Sequence, residues 1–294
     1  AAFDEFCKNH FKVSRAFESW EDMAKASRNE YDAVVVGSDQ LWLPSNIMAD
    51  YYTLNWVPQD VKKIAYATSF GIASIPAKYS KIYSHYLKRI NYLSARETSG
   101  QDIIKKLAGR DVQLVNDPAL LLDADGWNEV ISNEPLIKEK YVFCYFMGNN
   151  PEQRDFVRRL ANEKGLKVVA LLHLDQYIAS DENYVDMAPW HVSPADFVNL
   201  VKNAECVCTD SFHGTVFSII YSRPFFTFKR FNKKASLSTN TRITSLLTRL
   251  GLMDRLVLDM DSKKAFDIDW KKIQSGVSQF RKASSEYLLN AIRA

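Results

Sequence analysis

The stretch that decides the fold is ECVCTDSFHGTVFSIIY, from Glu205 to Tyr221. Its first part is a short apolar run ending near Thr209, which predicts a buried strand, and its last part predicts an apolar helix. Asp210 and Ser211 are both suitable N-cap residues for that helix, so His213 is expected in the first helical turn. A buried strand that leads through a short loop into a helix is typical of a parallel sheet covered by helices.

The same unit recurs along the chain. Further apolar runs that predict strands lie at 31–36, 64–68, 90–95, 112–115, 141–147, 166–172 and 224–228. Helical patterns lie at 98–108, 152–163, 194–204 and 270–294. Because the pattern is interrupted at about 123–139, we predict two α/β domains with parallel sheets that face each other across a cleft. They are expected at residues 1–126 and 127–294, with the last helix folded back across them.

Composition excludes several classes of protein. With 47% hydrophobic residues in 294, the chain has enough apolar material for a core without disulfides or a metal. A net charge of +3 gives no support to nucleic-acid binding. No apolar run approaches the roughly 20 residues of a membrane span, and residues 1–10 lack a signal pattern. We expect a cytoplasmic protein, with membrane contact limited to a peripheral one at the inner face.

The cysteines do not indicate a metal site. Cys206 and Cys208 are two residues apart in a predicted strand, which is not a zinc-binding spacing, and Cys144 lies in another apolar run. Buried reduced thiols are the expected state. No metal and no bound cofactor are predicted.

The candidate functional residues follow predicted strands, where ligands of such sheets bind. His213 and Gly214 lie at a helix start, where exposed amides suit an anion and where glycine lets another group approach the backbone. The alternative is a capped helix with an incidental histidine. Lys229 and Arg230 follow the next strand. They begin a basic cluster that suits an anionic ligand or forms a solvated face; its other members are Lys233, Lys234, Arg242, Arg249 and Arg255.

Two further groups lie in the first half of the chain. Arg96 follows a strand and is able to reach a ligand, or else pairs with Glu97. The residues Gly37, Ser38, Asp39 and Gln40 offer ligands for sugar hydroxyls, and Trp42 offers a stacking face. The alternative is that Ser38 or Asp39 caps the following helix. Residues 116–118 (NDP) predict a turn. Motifs for NAD, for ATP-driven chemistry and for a serine triad are missing from the sequence.

Taken together, these segments resemble the polysaccharide pyruvyl transferase family. The resemblance runs from YDA at 31–33 and GSDQ at 37–40 through AYATSFG at 65–71, Arg96 and DP at 117–118 to TDSFHG at 209–214, and covers roughly residues 31–256. It implies paired Rossmann-like domains similar to GT-B glycosyltransferases. It also implies phosphoenolpyruvate as donor, a free or lipid-linked saccharide as acceptor, and a pyruvate ketal as product in cell-surface polysaccharide biosynthesis.

The resemblance also implies roles for single residues. Arg96, His213 and Lys229, with Arg230 as an alternative, would surround the donor. Relatives carry an Arg-Leu-His pattern where this chain has Ser211-Phe212-His213, so one cationic donor contact is either lost or supplied by Lys229, Arg230 or Arg242. The family opens with a strand, whereas residues 1–17 are helix-like, so we expect either an N-terminal sheet without its first strand or a trimmed chain.

The chemistry leaves alternatives open. His213 is expected to transfer protons or to stabilise the departing phosphate. Asp39 or Asp210 could instead be the base for the hydroxyl, so His213, Asp39 and Asp210 all stay open for that role. A GT-B glycosyltransferase that uses a nucleotide sugar is the competing enzyme hypothesis. A non-catalytic saccharide-binding protein is the third, suggested by the missing arginine and the missing first strand.

Overall fold

The computed structural model describes residues 2–230, 241–260 and 266–294. They form two compact α/β units. The first unit comprises 14–121, 241–246 and 277–294, and the second comprises 2–13, 122–230, 247–260 and 266–276. The chain passes from the first unit to the second near residue 121, and the boundary predicted from the sequence is at 126. The two predicted domains were continuous stretches of sequence, whereas in the structure residues 2–13 group with the second unit and 277–294 with the first.

The first unit contains a parallel sheet in the order β1–β2–β3–β4. Its strands are Ala33–Val36 (β1), Lys62–Thr68 (β2), Tyr92–Ala95 (β3) and Gln113–Leu114 (β4). β2 is buried along almost its whole length, as its continuous apolar run predicts. β1 lies at the edge of the sheet, so Val35 is 45% exposed, and the expectation of a fully buried strand is wrong there.

The second unit contains a parallel sheet in the order β6–β5–β7–β8–β9. Its strands are Tyr141–Tyr145 (β5), Lys167–Leu171 (β6), Cys206–Thr209 (β7), Phe225–Phe228 (β8) and Leu256–Val257 (β9). Among the described strands, β9 was not predicted, because two residues are too few to give a pattern. The prediction of two α/β regions built on parallel sheets is confirmed.

Helices cover both sheets. They are Ala2–His10 (α1), Trp20–Asn29 (α2), Ser80–Arg89 (α3), Thr98–Ala108 (α4), Ala124–Asn128 (α5), Pro151–Lys164 (α6), Pro194–Asn203 (α7), Phe212–Ile220 (α8), Thr241–Leu250 (α9) and Trp270–Arg293 (α10). α4 has the predicted bounds, since Ile103 and Ile104 give it a buried face and Gly109, at φ 71°, ends it. No helix of the described residues is long and apolar enough to cross a membrane.

The C-terminal part of α10 completes the core of the first unit. Tyr287 and Leu288 pack against Tyr66, Ala67 and Val115. The Ser284 hydroxyl accepts a hydrogen bond of 2.9 Å from the backbone amide of Asn116. These contacts explain why residues 277–294 belong with β1–β4, although more than 150 residues separate them in sequence.

The expectation of buried reduced thiols is confirmed for the second sheet. Cys144, Cys206 and Cys208 are free and buried in β5 and β7, whereas Cys7 on α1 is exposed. Burial raises the pKa of the Cys144 and Cys208 thiols well above the usual value, so both remain protonated. They are packing residues of the sheet.

Candidate functional site

The junction between β7 and α8 has the predicted local structure. Ser211 is the N-cap of α8, and its hydroxyl accepts a hydrogen bond of 3.3 Å from the amide of Gly214. His213 is therefore in the first turn, as expected. The rest of α8 is buried, which explains its apolar sequence.

Gly214 has a different role from the predicted one. A Cβ atom at this position would lie 2.7 Å from Oγ1 and 3.0 Å from Cγ2 of Thr209. The Thr209 hydroxyl is itself held in place, because it donates to the carbonyl of Tyr145 over 2.6 Å and accepts from the amide of Ser211 over 3.0 Å. The group that approaches Gly214 is therefore the end of β7. The expectation that the glycine makes room for a ligand is corrected.

Asp210 is a structural anion. It is 1% exposed, and its two carboxylate oxygens accept hydrogen bonds of 2.8 Å from the amides of Met147 and Gly148. A Cβ on Gly148 would lie 2.9 Å from the same carboxylate, which explains the glycine. Because both oxygens bind the loop after β5, the prediction of Asp210 as a base for a hydroxyl is corrected.

His213 and Ser211 border a cavity of about 540 Å³ in the second unit. The other lining side chains are mainly apolar, and seven of them are Phe, Tyr or Trp: Phe3, Phe6, Trp127, Tyr145, Trp190, Phe197 and Phe217. Phe3 and Phe6 belong to α1, which places the N-terminal helix at this cavity. A large apolar pocket with a few polar groups is the usual form of a small-molecule site.

Arg230 lies at the same end of the second sheet. Its Nη2 atom lies 2.9 Å from the sulfur of Met147, a lining residue of the cavity, and donates to the carbonyl of Asp210 over 3.3 Å. The Lys229 carbonyl accepts a hydrogen bond of 3.1 Å from Gln153. Of the two cations predicted here, Arg230 is the one that contacts a lining residue. Lys233 and Lys234 of the basic cluster lie outside the described residues.

A second group of charges lies in the first unit, at the carboxyl ends of its strands. Arg96, after β3, is 3% exposed and lies with its Nη1 atom 2.5 Å from Oδ2 of Asp117, after β4. Ser38, after β1, accepts from Arg96 over 3.0 Å and donates to Asp117 over 2.8 Å. The guanidinium is thus engaged with residues of its own unit, which supports a structural role, and the donor contact expected for Arg96 stays a prediction.

Asp39 is the exposed acid of this group. Its carboxylate accepts a hydrogen bond of 3.1 Å from Arg242 on α9 and lies 3.5 Å from Arg96. More than half of its side chain, 57%, remains exposed. Its carbonyl accepts from the amide of Ser69 over 3.0 Å, which joins the loop after β1 to the end of β2. Asp39 is therefore held in place and remains accessible.

Glu97 is buried behind Arg96. It is 1% exposed and accepts a hydrogen bond of 2.6 Å from Ser69. Burial raises the pKa of Glu97 above its usual value, although Arg96, the Ser69 hydroxyl and Arg242 oppose the shift. The alternative that Arg96 packs beside Glu97 is supported, with Asp117 as the closer partner at 2.5 Å.

Trp42 and Gln40 do not offer the predicted sugar contacts. Trp42 is fully buried against Phe70 and Tyr86, and its indole nitrogen donates to the carbonyl of Tyr52 over 2.9 Å. Gln40 packs over Gly71, where a Cβ would lie 2.5 Å from Nε2, so that amide nitrogen is buried. Both expectations are corrected. Gly37 is exposed, and the space around its Cα is open.

Two parts of these sites were missed from the sequence. Asp117 was interpreted as a turn residue, although its position after a strand, like that of Arg96, was a signal that the two would meet. The apolar cavity was not anticipated, because its lining comes from loops and helices scattered along the chain.

Comparison with known proteins identifies the family. A family model described as polysaccharide pyruvyl transferase matches residues 2–230. This chain belongs to the polysaccharide pyruvyl transferase family. The match covers most of the chain and includes β1–β8, with the junction at His213. The resemblance expected from the sequence is therefore confirmed, whereas no curated protein matches the sequence.

Solved structures show the same fold at low identity. The co-structure of S. aureus MnaA with UDP is similar with a TM-score of 0.51 and 14% identity, over 95% of this chain and 78% of that one. UDP-GlcNAc 2-epimerase from Methanocaldococcus jannaschii gives a TM-score of 0.50 and 13% identity, over 86% and 71%. Such likeness concerns the fold alone. The chain is a GT-B-like protein with two Rossmann-like units.

Proposed function

We propose that this protein transfers the pyruvyl group of phosphoenolpyruvate to two hydroxyls of a saccharide, forming a pyruvate ketal. The observation that carries the proposal is the position of His213, in the first turn of α8 at the rim of a cavity, in a chain of the polysaccharide pyruvyl transferase family. The proposed reaction uses phosphoenolpyruvate as a co-substrate and needs no bound cofactor.

The donor needs cations, because phosphoenolpyruvate carries a phosphate and a carboxylate. In this proposal Arg230 provides the principal charge, since it contacts Met147 at the cavity, and Lys229 is the second candidate. Ser211 and the first amides of α8 add hydrogen-bonding groups at the positive end of the helix dipole. Each charge-assisted hydrogen bond would contribute about 1.5–3 kcal/mol. Arg96 has no direct donor contact in this arrangement.

The reaction requires two proton movements on the donor side. A proton added to the methylene carbon of phosphoenolpyruvate makes the adjacent carbon electrophilic, and one hydroxyl oxygen of the saccharide attacks there. The bond to the phosphate oxygen then breaks, and the second hydroxyl closes the ketal. The saccharide gives up two hydroxyl protons in total. One of them replaces the proton that was added to the methylene carbon, and the other leaves with phosphate. We assign the proton transfer to His213, a type of catalysis that contributes about 10²–10⁴-fold.

Asp39 is the proposed base for the acceptor hydroxyl. It is accessible, and hydrogen bonds from Arg242 and the backbone contact to Ser69 hold it in place. Asp210 is less suited to this role, because it is 1% exposed and each of its oxygens already binds a backbone amide.

A second candidate function is sugar transfer from a nucleotide sugar. The observation that favours it is the cavity beside His213, which is larger and more apolar than phosphoenolpyruvate requires. Its aromatic rings would suit the flat face of a nucleobase. This candidate predicts binding of a nucleotide at the same residues and no binding of phosphoenolpyruvate.

Ligand-induced thermal stabilisation separates the two candidates. Phosphoenolpyruvate should raise the Tm of the wild-type protein, and UDP-sugars and GDP-sugars should not. Phosphate release and product mass are then measured with phosphoenolpyruvate and a panel of saccharide glycosides. We expect release that depends on the acceptor, together with the mass gain of a pyruvyl group. Stabilisation by nucleotide sugars alone would favour the second candidate.

His213 is tested with a matched histidine. His213→Ala should lower turnover about 10²–10⁴-fold while the unfolding transition changes little. The control is His85→Ala, an exposed histidine on α3 in the other unit, which should keep full turnover. Near-normal turnover of His213→Ala would contradict the assignment.

A further inference from the structure

Three aromatic side chains form an exposed cluster on the first unit, apart from the charged group at the strand ends. Trp20 begins α2, whereas Tyr51 and Trp56 lie in the segment between β1 and β2. Trp20 is 49% exposed and Tyr51 is 47% exposed. Large aromatic rings at the surface mark an interaction site more often than isolated aliphatic residues do.

The rings lie side by side. Their centroids are 6.2 Å apart for Trp20 and Tyr51, 6.5 Å for Trp20 and Trp56, and 6.2 Å for Tyr51 and Trp56. The interplanar angles are between 21° and 42°. The near-equal distances place the three centroids at the corners of a triangle, so the rings form one cluster in which each ring contacts the other two. We call Trp20, Tyr51 and Trp56 the aromatic shelf.

The aromatic shelf is held in place by its own backbone. The indole nitrogen of Trp56 donates to the carbonyl of Tyr51 over 2.9 Å, and the ring of Tyr52 packs edge-on against Tyr51 at 5.0 Å. Next to Tyr51, the Asp50 carboxylate accepts from Thr53 over 2.5 Å and from Asn55 over 2.8 Å. Ring positions that are set before binding lower the entropic cost of binding a ligand.

The chemistry of the aromatic shelf fits a saccharide. A sugar ring has an apolar C–H face, which packs on an aromatic ring, and a rim of hydroxyls, which need polar partners. Asp50 and Asn55 provide such partners beside Tyr51. An anionic membrane surface fits less well, because the acidic residues Glu21 and Asp50 directly adjoin Trp20 and Tyr51 in the chain.

The location connects the aromatic shelf with the acceptor. Tyr51 and Trp56 belong to the same β1–β2 segment that carries Asp39, the proposed base for the hydroxyl. Inside the segment Trp42 binds the carbonyl of Tyr52, so one short stretch of chain links Asp39 to the aromatic shelf. We propose that the aromatic shelf is a saccharide-binding site that holds unreacting sugar units of a long acceptor. The identification of that ligand as the acceptor rests on the proposed function, whereas saccharide binding itself does not.

The test measures binding without donor. The full protein is titrated with five hexaoses that differ in sugar or linkage (cellohexaose, laminarihexaose, chitohexaose, maltohexaose and mannohexaose) and with the matching monosaccharides, by calorimetry and tryptophan fluorescence. We expect one or more hexaoses to bind and the monosaccharides to bind much more weakly. Trp20→Ala and Tyr51→Ala should each weaken hexaose binding about tenfold. Both side chains are half-exposed, so neither substitution leaves a cavity in the core.

Tyr31→Ala is the matched control. Tyr31 has the same 47% exposure as Tyr51 and belongs to the same unit, but lies before β1. The Tyr31→Ala variant should bind the hexaoses with the same affinity as the wild type. Equal binding by all variants, or no hexaose binding by the wild type, would overturn the proposal. So would binding to phosphatidylglycerol vesicles that Trp20→Ala and Tyr51→Ala abolish, because that result would identify a membrane surface.

The outcome is independent of the transfer reaction. If hexaoses bind through the aromatic shelf and no phosphate is released from phosphoenolpyruvate, the proposed function fails and the binding site stands. If transfer occurs, the variants should raise KM for a hexaose acceptor and leave kcat and the KM of a monosaccharide glycoside unchanged. A fall in kcat alone would contradict a binding role.

Discussion

The Nη1 atom of Arg96 lies 2.5 Å from Oδ2 of Asp117, and both side chains are buried. The two residues follow neighbouring strands, β3 and β4, and Ser38 bridges them. This pair connects the carboxyl ends of the strands that carry the proposed acceptor site. Arg96 therefore positions the residues around it.

Removing the arginine should destabilise the protein. Arg96→Gln leaves the buried carboxylate of Asp117 without its charge partner, which should lower the free energy of unfolding by about 3–5 kcal/mol. Urea unfolding followed by circular dichroism measures the change. The control is Arg28→Ala, which breaks an exposed pair with Asp60 of similar length, 2.7 Å, and should have little measurable effect. Comparable losses in the two variants would contradict a buried structural role for Arg96.

Gly214 should not tolerate a methyl group. Alanine normally stabilises a helix relative to glycine, but here its Cβ would meet Thr209 at 2.7 Å. We expect Gly214→Ala to cost about 1–3 kcal/mol of stability. Gly276→Ala, in α10 with no atom within 4 Å of the added Cβ, should instead stabilise by about 0.5–1 kcal/mol. Thermal unfolding of the two variants should thus shift Tm in opposite directions, and a Tm increase for both would refute the packing argument.

The two aspartates proposed from the sequence as alternative bases should behave differently. Asp39→Asn replaces an exposed carboxylate with an amide of the same size, so Tm should change little. The variant should lower kcat about 10²–10⁴-fold. Asp210→Asn replaces an acceptor of a buried amide hydrogen bond with a donor, and should cost about 1–3 kcal/mol of stability. Steady-state kinetics and urea unfolding on both variants measure this. The opposite pattern would return Asp210 to the role of base.

Glu97 should give the stability of the protein a characteristic dependence on pH. Burial raises the pKa of Glu97 in the folded state above its unfolded value. Its contribution to stability is therefore fully present below the unfolded pKa, about 4.3, and is lost as the pH rises through the folded pKa. Glu97→Gln removes the ionisation, so the variant should gain stability relative to the wild type between pH 4 and pH 7. Urea unfolding at pH 4 and at pH 7 measures the free energy of unfolding of both proteins. If the wild type became more stable relative to the variant from pH 4 to pH 7, the predicted sign would be wrong.

Much of the fold was predictable, because periodicity is a local property. The runs that became β2, β5 and β7 are continuous and apolar, since a parallel sheet is covered on both faces. The start of α8 was predictable for the same reason, although the sequence left Asp210 and Ser211 open as its N-cap and the structure has Ser211. By contrast, residues 277–294 join the first sheet through contacts to distant residues, which no local pattern contains.

The candidate site was less predictable, because the partner of a side chain is decided by tertiary packing. Arg96 was expected to be available to a ligand, yet acids after two other strands surround it. Trp42 was expected at the surface, but the β1–β2 segment is long enough to build a small core around it. In both cases the sequence showed which residue type follows the strand, but it did not show in which direction the side chain points.

The β1–β2 segment has a further consequence through its two sides. Its inner side, with Trp42, belongs to the core, and its outer side bears Tyr51 and Trp56. On the proposed function, substitutions at Tyr51 and Trp56 leave the loop after β1 unchanged, so the choice of glycan and the chemistry at Asp39 are able to diverge independently. Exchanging these two residues alone would then alter glycan preference while the core residues Ile47 and Leu54 stay in place.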